Sequence, residues 1–503
     1  MKYFPEFLKA IPHKFSAEET EMLAKAYEFA KTAHQGQKRK SGADYFTHSL
    51  GSAIILGKIF PQSQTLAATL LHDVVEDTKF DLIEIEKIFG KEISKLIDGV
   101  TKLGNVRLKD GTDKFYVENL RKMFIATSQD IRVILIKLAD RLHNMQTIQF
   151  LPLEKQIKIA KETLEIYAPI AARLGISTWK DELEDLSFAI VYPKEYEETK
   201  KILDEDVKNR QANLKETQKY LINILHTEGI KFLSIDGRIK RVYSLYHKLK
   251  KYNGDIKKVY DIFAFRIIVK STTECYAALG NIHKHLQPLP NRIKDFIANP
   301  KPNGYQSIHT TVRDRFDQIF EVQLRTDLMH EEAERGVAAH WFYTEEGKTE
   351  NTSRISNTSW IKELYSWQNE VTDPEEYLEN LKIDFFRHRI FVYTPKGDIK
   401  DLPIGATVID FAFAVHTDLG YHMMGVKING KMASIYDELE QEDVIEIIKT
   451  KKPSSISQDW LKAAKTSGAR NKIRAYLKEH NKGIIDRIRE LKDVTLPRFF
   501  RKK

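Results

Sequence analysis

At 503 residues the chain is too long for one ordinary hydrophobic core, so about two to four domains are expected. Its 42% hydrophobic and 10% aromatic content excludes a disordered protein, the single cysteine (Cys275) excludes an internal disulfide and argues against a cysteine zinc site, and no apolar run approaches the ~20 residues of a membrane span. The net charge of +9 is unevenly spread: residues 451–503 hold 16 Lys/Arg against 5 Asp/Glu, and the remainder is close to neutral. Such a basic tail suits a polyanion such as RNA. The start, "MKYFPEFLKAIPHKF", has no signal-peptide core, so a cytoplasmic protein without a membrane partner is expected.

Residues 17 to about 190 carry apolar residues at helical spacing, as in "AEETEMLAKAYEFAKTAH", "FYVENLRKMFIAT" and "IRVILIKLADRLHNMQTI". Within this region "LLHDVVEDT" (70–78) sets His72 beside Asp73 on a helix, with Glu76 at i+4 from His72 and Asp77 at i+4 from Asp73. Leu70, Leu71, Val74 and Val75 supply its buried faces. "YFTHS" adds His48, and "KLADRLHNMQT" adds Asp140, with Asn144 and Thr147 on the same stripe. His48, His72, Asp73 and Asp140 form a mixed nitrogen and oxygen set that suits a divalent metal of intermediate hardness such as Mn²⁺. Such a metal polarises a phosphoryl oxygen and acidifies water, and Glu76 and Asp77 just outside the ligands could orient or deprotonate that water. Lys38 and Arg39, in "HQGQKRKSG", offer cations to phosphate oxygens.

A helical connector rich in Lys and Glu is expected at roughly 195–230, and the pattern turns to β near Gly237. "GRIKRVYSLYHKLKK" (237–251) reads as a helix with Val242, Leu245, Tyr246 and Leu249 on its apolar face. Lys240, Ser244 and Lys248 would fall at i, i+4 and i+8, with Arg238 at the start, an arrangement that suits a triphosphate. "VYDIFAFRIIV" (259–269) and "DQIFEVQLRT" (317–326) alternate as strands, which predicts an α/β domain around a mixed sheet. If these strands are neighbours, Asp261 and Glu321 can share a Mg²⁺. Between them "ANPKPNGYQSIHTTV" offers Lys301 and His309 to phosphates, Tyr305 to a base, and Gly304 for close backbone approach. Beyond a polar loop at 344–359, "RIFVYTPKGDIKDLP" predicts a hairpin, then a small β-rich module, then a basic helical tail after Ser457.

The strings "AHQGQKRKSG", "LLHDVVEDT", "GVTKL" and "IKLADRLHNM" resemble the HD phosphohydrolases and, more closely, the hydrolase domain of the RelA/SpoT homologue family, which removes the 3′-pyrophosphate from (p)ppGpp. The resemblance implies His48, His72, Asp73 and Asp140 as Mn²⁺ ligands and Glu76 and Asp77 as catalytic carboxylates. It implies Arg39, Asn144 and Thr147 as substrate contacts, and Ser49 stands where the family usually has Pro. "GRIKRVYSLYHKL", "VYDIFAFRIIV", "NRIKDFIANPKPNGYQSIHTTV" and "EVQLRT" with "HEEAERGVAAHWFY" resemble the same family's synthetase domain, which transfers pyrophosphate from ATP to the 3′-hydroxyl of GDP or GTP. This implies Arg238, Lys240, Ser244 and Lys248 for ATP, Asp261 for Mg²⁺, and Glu321 for Mg²⁺ or for activating the hydroxyl. It implies Tyr305 stacked on guanine, with Lys301, Asn303 and His309 nearby. "RIKD" (292–295) has the basic form that resembles bifunctional members, and Asn291 replaces a usual Gly.

Residues 390–432 resemble a TGS domain, whose tRNA-sensing His would be His416, although "GYH" departs from the usual "GHR". Uncharged tRNA and the ribosome are the implied partners. The expected organisation is an all-α hydrolase domain at 1–190, a helical connector at 191–235, an α/β synthetase domain at 236–343, a loop and linker helix at 344–386, a β-grasp TGS module at 387–451 and a basic helical tail at 452–503. The given sequence carries no zinc-finger-like or ACT-type domain of the family's longer members. Two opposed activities in one chain predict reciprocal control through the helices at 155–235. The alternatives are a chain with one competent site, or an RNA-binding regulator with vestigial catalysis.

Overall fold

The computed structural model describes residues 4–104, 127, 129–290, 292–301, 303–315, 317–339, 389–441, 443–450 and 456–479. The expected helix at 115–127, apart from Thr127, the loop and linker helix at 344–386, Asn291 and most of the basic tail lie outside them. The chain divides into two units, Met1–Tyr377 and Leu378–Lys503.

The first unit begins as a helical layer. Ser16 starts the helix Ala17–Ala33 with a reciprocal capping box, its hydroxyl accepting from Glu19 N while the Glu19 carboxylate accepts from Ser16 N. The helices Phe46–Gly57, Ser63–Leu71 and Lys91–Gly104 follow. They surround Ile131–Gln146, which is apolar on nearly every side and buries Val133, Ile134, Leu135, Leu138 and Leu142. Asp130 caps its start by accepting from Arg132 N. "LLHDVVEDT" is not one continuous helix: Ser63–Leu71 ends before His72, and Val74–Asp77 begins after Asp73. Both intervening residues keep helical dihedrals, so the spacing of the four polar side chains survives the break.

A π-helical turn, Thr163–Tyr167, packs against the Asp140 helix, with the Arg141 guanidinium 4.1 Å from the Tyr167 ring centre and 2.9 Å from Glu162. Two helices lead onward, Ser177–Val191 and the long Pro193–Thr227. The second is more than a connector: its Leu221, Ile224 and Leu225 are part of the core of the following sheet.

That sheet has the order β1-β2-β6-β5-β3, with β4 (Lys294–Asp295) also on β5. Its other strands are β1 Phe232–Ile239, β2 Phe263–Val269, β3 Gln287–Pro288, β5 Ile308–Arg313 and β6 Ile319–Thr326. β2 and β6 run parallel and the other pairs antiparallel, so the sheet is mixed. One sequence expectation is corrected here: residues 237–251 are not a single helix. β1 runs through Gly237 and Arg238 because Ile235–Ile239 pair with Phe263–Ile267, and the helix starts only at Val242. Lys240 therefore sits in the turn, where its N–H bonds Ile262 O at 2.9 Å. Asp261 precedes β2, and Ala264 on β2 is paired with Glu321 on β6.

The two halves of this unit meet at a backbone seam. Val337 N donates to Leu174 O at 2.8 Å, and Gly336 has φ +57° with Gly175 against it. A Cβ at 336 would collide with Leu174 O.

In the second unit β7 (Arg389–Tyr393) and β8 (Ile399–Pro403) form the expected hairpin, with Gly397 at φ +90° in its turn. A second sheet has the order β10-β9-β11, from Lys431–Ala433, Met423–Ile428 and Ile445–Lys449. The helix Val408–Val415 is anchored by buried Asp410, which caps Thr407 and accepts from Lys465 N and Thr466 N. Among the described residues no helix is long and apolar enough to cross a membrane.

Candidate functional site

Three helical segments converge on one point in the first unit. His48, His72 and Asp140 place ligand atoms within 4.8 Å of one another, all buried. Asp73 joins them, with Oδ1 3.1 Å from His72 Nε2 and Oδ2 3.6 Å from His48 Nε2. His72 Nδ1 donates to Thr69 O at 2.7 Å, which fixes the tautomer and leaves Nε2 as a free lone pair. That Nε2 and Asp73 Oδ2 are buried without a hydrogen-bond partner. A cation would satisfy both, so the donor set fits a divalent metal.

The surrounding residues split into two groups. On one side the Arg39 guanidinium donates to Asn144 Oδ1 at 2.8 Å and Thr147 Oγ1 at 3.3 Å, so these three predicted contacts stand together. Lys38 does not join them. The chain's alternation turns it outward to Asp44, 2.5 Å away on the surface. On the other side burial pushes the Glu76 carboxyl up to about 7, with Lys137 opposing the rise and Asp73 adding to it. Asp77 Oδ2 accepts from Tyr45 OH at 2.7 Å, and the Tyr45 ring stacks on His34.

Sequence reasoning missed His143, Tyr45 and Lys137. His143 Nδ1 lies 2.8 Å from His48 Nδ1, and burial, reinforced by His48 and Arg39, lowers it to about 3. Lys137 Nζ bonds Asp140 Oδ2 at 2.7 Å. His143 and Lys137 share a helical face with Asp140, at i+3 and i−3, which was the available signal.

The second site lies on the mixed sheet. Lys240 and Lys248 both donate to Asp261 Oδ2, at 2.6 and 2.5 Å, while Asp261 Oδ1 is buried without a partner. Burial alone would raise Asp261, but the two ammonium groups hold it below the usual carboxylate range. Ser244 stands one helical turn before Lys248. On the neighbouring strand Glu321 accepts from Gln323 Nε2 at 2.7 Å and lies 3.4 Å from His309 Nδ1. His309 Nε2 is 2.8 Å from Tyr305 OH. Asn303 Oδ1 accepts from Tyr305 N, and Lys301 Nζ lies 4.9 Å from the Tyr305 ring centre. Gln323 and Arg325 share the polar face of this strand with Glu321, and Arg325 is 1% exposed.

Arg238 is engaged elsewhere: its Nη2 donates to Asp181 Oδ2 at 2.8 Å, across from the helix Ser177–Val191. Asp185 of that helix accepts from Tyr243 N at the start of the Lys248 helix. A cleft of about 470 Å³ opens here, lined by Asp181, Asp185, Arg238, Lys240, Arg241 and Glu334 among others. In the second unit His416 is exposed and caps the short helix Thr417–Tyr421, its Nδ1 accepting from Asp418 N.

Fold and sites define the class: an HD-type helical domain with a divalent-metal donor set, followed by a mixed-sheet domain with a Lys–carboxylate cluster, and a small β module. Residues 26–177 match the HD domain, 237–348 the region found in RelA / SpoT proteins, and 390–449 the TGS domain. The chain is 44% identical over 482 residues to a GTP pyrophosphokinase of Myxococcus xanthus, covering 95% of this chain and 63% of that one. It is 44% identical to the guanosine-3′,5′-bis(diphosphate) 3′-pyrophosphohydrolase of Aquifex aeolicus, over 93% of this chain and 68% of the relative. It is 42% identical to the bifunctional (p)ppGpp synthase/hydrolase SpoT of Escherichia coli K12, over 95% and 68%. The chain belongs to the RelA/SpoT family. It spans between 56% and 63% of the length of the first three relatives it matches.

Proposed function

We propose that this chain both makes and destroys (p)ppGpp. The observation that carries the reading is that two separate carboxylate clusters occur in one chain: the buried His48, His72, Asp73 and Asp140 set, and Asp261, just before β2, with Glu321 on the adjoining β6, both close to Lys240.

In the hydrolytic direction His48, His72, Asp73 and Asp140 hold Mn²⁺, which supplies Lewis acidity toward the 3′-pyrophosphate. Arg39, Asn144 and Thr147 bind the nucleotide. Glu76, with its carboxyl near neutrality, takes the proton of the attacking water, and Asp77, held by Tyr45, orients that water. The products are GDP or GTP and pyrophosphate.

In the synthetic direction Arg238, Lys240, Ser244 and Lys248 bind the ATP triphosphate, and Asp261 with Glu321 holds Mg²⁺, which neutralises charge on the transferring group. Tyr305 stacks on guanine, with Lys301, Asn303 and His309 around it. Glu321, kept ionised despite burial by His309 and Gln323, accepts the proton of the 3′-hydroxyl as it attacks the β-phosphate. Control is reciprocal: Asp181 and Asp185, from the helix that follows the hydrolytic core, compete with ATP for Arg238 and for the start of the Lys248 helix. The TGS module, with His416, and the basic tail contact uncharged tRNA on the ribosome, and the protein works in the cytoplasm.

The test is anion-exchange separation of nucleotides after incubation with ppGpp and Mn²⁺, with and without chelator, and in parallel with ATP, GDP and Mg²⁺. Release of GDP and pyrophosphate that chelator abolishes, together with formation of ppGpp in the second mixture, is the expected result. Intact ppGpp with removal of residues 237–503 making no difference would overturn the hydrolytic half. Absence of ppGpp formation, in the parent and in Asp181→Asn alike, would overturn the synthetic half.

A further inference from the structure

We propose that Arg325 is a positioning residue for pyrophosphate transfer: it sets the hydrogen-bond direction of a closed side-chain circuit that joins Tyr305 to Glu321 and fixes His309 as its Nδ1–H tautomer. The inference deepens the reading above, since it takes Tyr305 as the base-stacking ring and Glu321 as the proton acceptor.

The circuit has five members. Arg325 Nη2 lies 2.8 Å from Tyr305 OH and 2.7 Å from Gln323 Oε1. Tyr305 OH lies 2.8 Å from His309 Nε2, and His309 Nδ1 lies 3.4 Å from Glu321 Oε1. Gln323 Nε2 closes the ring on the same Oε1 at 2.7 Å.

Two of these groups have no choice of role: the guanidinium donates and never accepts, and the ionised Glu321 carboxylate accepts and never donates, so the circuit runs from Arg325 to Glu321. The Tyr305 oxygen must therefore accept from Arg325, and its single proton is free to go to His309 Nε2. His309 is then neutral with its remaining proton on Nδ1, which faces Glu321. Gln323 is fixed in the same way: its oxygen is taken by Arg325, so its NH₂ turns to Glu321. Both arms arrive at Oε1 as donors and favour the ionised carboxylate, leaving Oε2 for the 3′-hydroxyl or a cation. Without Arg325 the Tyr305 oxygen can accept from His309 instead. The imidazole would then present a lone pair to the Glu321 carboxylate, which is repulsive.

The burial of Arg325 argues that this role is selected. It is 1% exposed, its Nε is buried without a partner, and among the described residues it makes no ion pair within 4.0 Å. A desolvated guanidinium of this kind costs stability, so packing alone does not account for it. His309 is held neutral by burial, consistent with a relay of neutral donors.

The experiment is nitrogen-15 NMR of the full chain with labelled histidine, near neutral pH and without nucleotide, the His309 signals being assigned by their loss in His309→Asn. The parent is expected to show the Nδ1–H tautomer, and Arg325→Met and Tyr305→Phe to move it toward Nε2–H or to a mixture. Tyr305→Phe keeps the stacking ring, so its KM for GDP should stay within about twofold while kcat falls by about tenfold or more. Should Arg325→Met fail to fold, Tyr305→Phe alone decides. An Nε2–H tautomer in the parent, or an unchanged tautomer in the folded variants, would overturn the proposal. If the parent transfers no pyrophosphate to GDP, the functional reading fails, while the tautomer measurement still judges the circuit.

Discussion

The His72 cluster and the Asp261 cluster solve opposite electrostatic problems. In the first, donors face one another across a gap and two of their atoms, His72 Nε2 and Asp73 Oδ2, lack a partner. In the second, the cations are already paired: Lys240 and Lys248 share Asp261, and Arg238 holds Asp181. The first site offers a cation two open donor atoms, although its Asp140 is ion-paired with Lys137, whereas the second must exchange carboxylates for phosphates throughout.

The sharpest break of this contrast is His72→Ala. It removes a ligand whose tautomer is fixed by Thr69, and loss of hydrolysis by about a thousandfold or more is expected, with synthesis retained. Loss of both activities, read by nucleotide chromatography, would mean that the clusters are not separate sites.

Glu76→Gln is expected to cost about a hundredfold or more in hydrolysis. In the parent, hydrolysis should rise as pH climbs through about 7, because the raised Glu76 carboxyl becomes a base only on losing its proton. Bound dication lowers that midpoint by favouring the carboxylate. A pH–rate profile of Glu76→Gln that keeps the rising limb would exclude Glu76 as its source.

Smaller effects test the second site. Arg238 is 41% exposed, and an exposed ion pair is worth at most ~1 kcal/mol, so Asp181→Asn should lower the KM for ATP by no more than about fivefold. A raised KM would mean that Asp181 orients Arg238 for ATP instead of competing with it. Smallest of all, Lys38→Ala should change hydrolysis by less than about twofold, because Lys38 is paired with Asp44 at the surface, where ion pairs contribute little.

Much of this arrangement was legible in the residues, and the losses have a common cause. The convergence of His48, His72, Asp73 and Asp140 was readable because each lies in or beside a short apolar helix, where local periodicity decides which side chains share a face. The helix reading of 237–251 failed because β1 is fixed by pairing with Phe263–Ile267, beyond the reach of any local pattern. Ser244 and Lys248 do share one helix, whereas Lys240 lies outside it in the turn, yet Lys240 and Lys248 still meet on Asp261. Asp181 and Asp185 carried no signal in the sequence, because their partners Arg238 and Tyr243 N lie across the cleft, 57 and 58 residues further along. Leu221, Ile224 and Leu225 had core spacing, but the surrounding Lys and Glu hid it.

The glycine at 336 works as a keyed joint. It admits no side chain because Leu174 O fills the space a Cβ needs, and its φ of +57° penalises any replacement. One methyl group there acts as a wedge between two halves whose chemistry it never touches. Gly336→Ala would thus pry the seam apart at Leu174 while leaving the side chains of both clusters as they are.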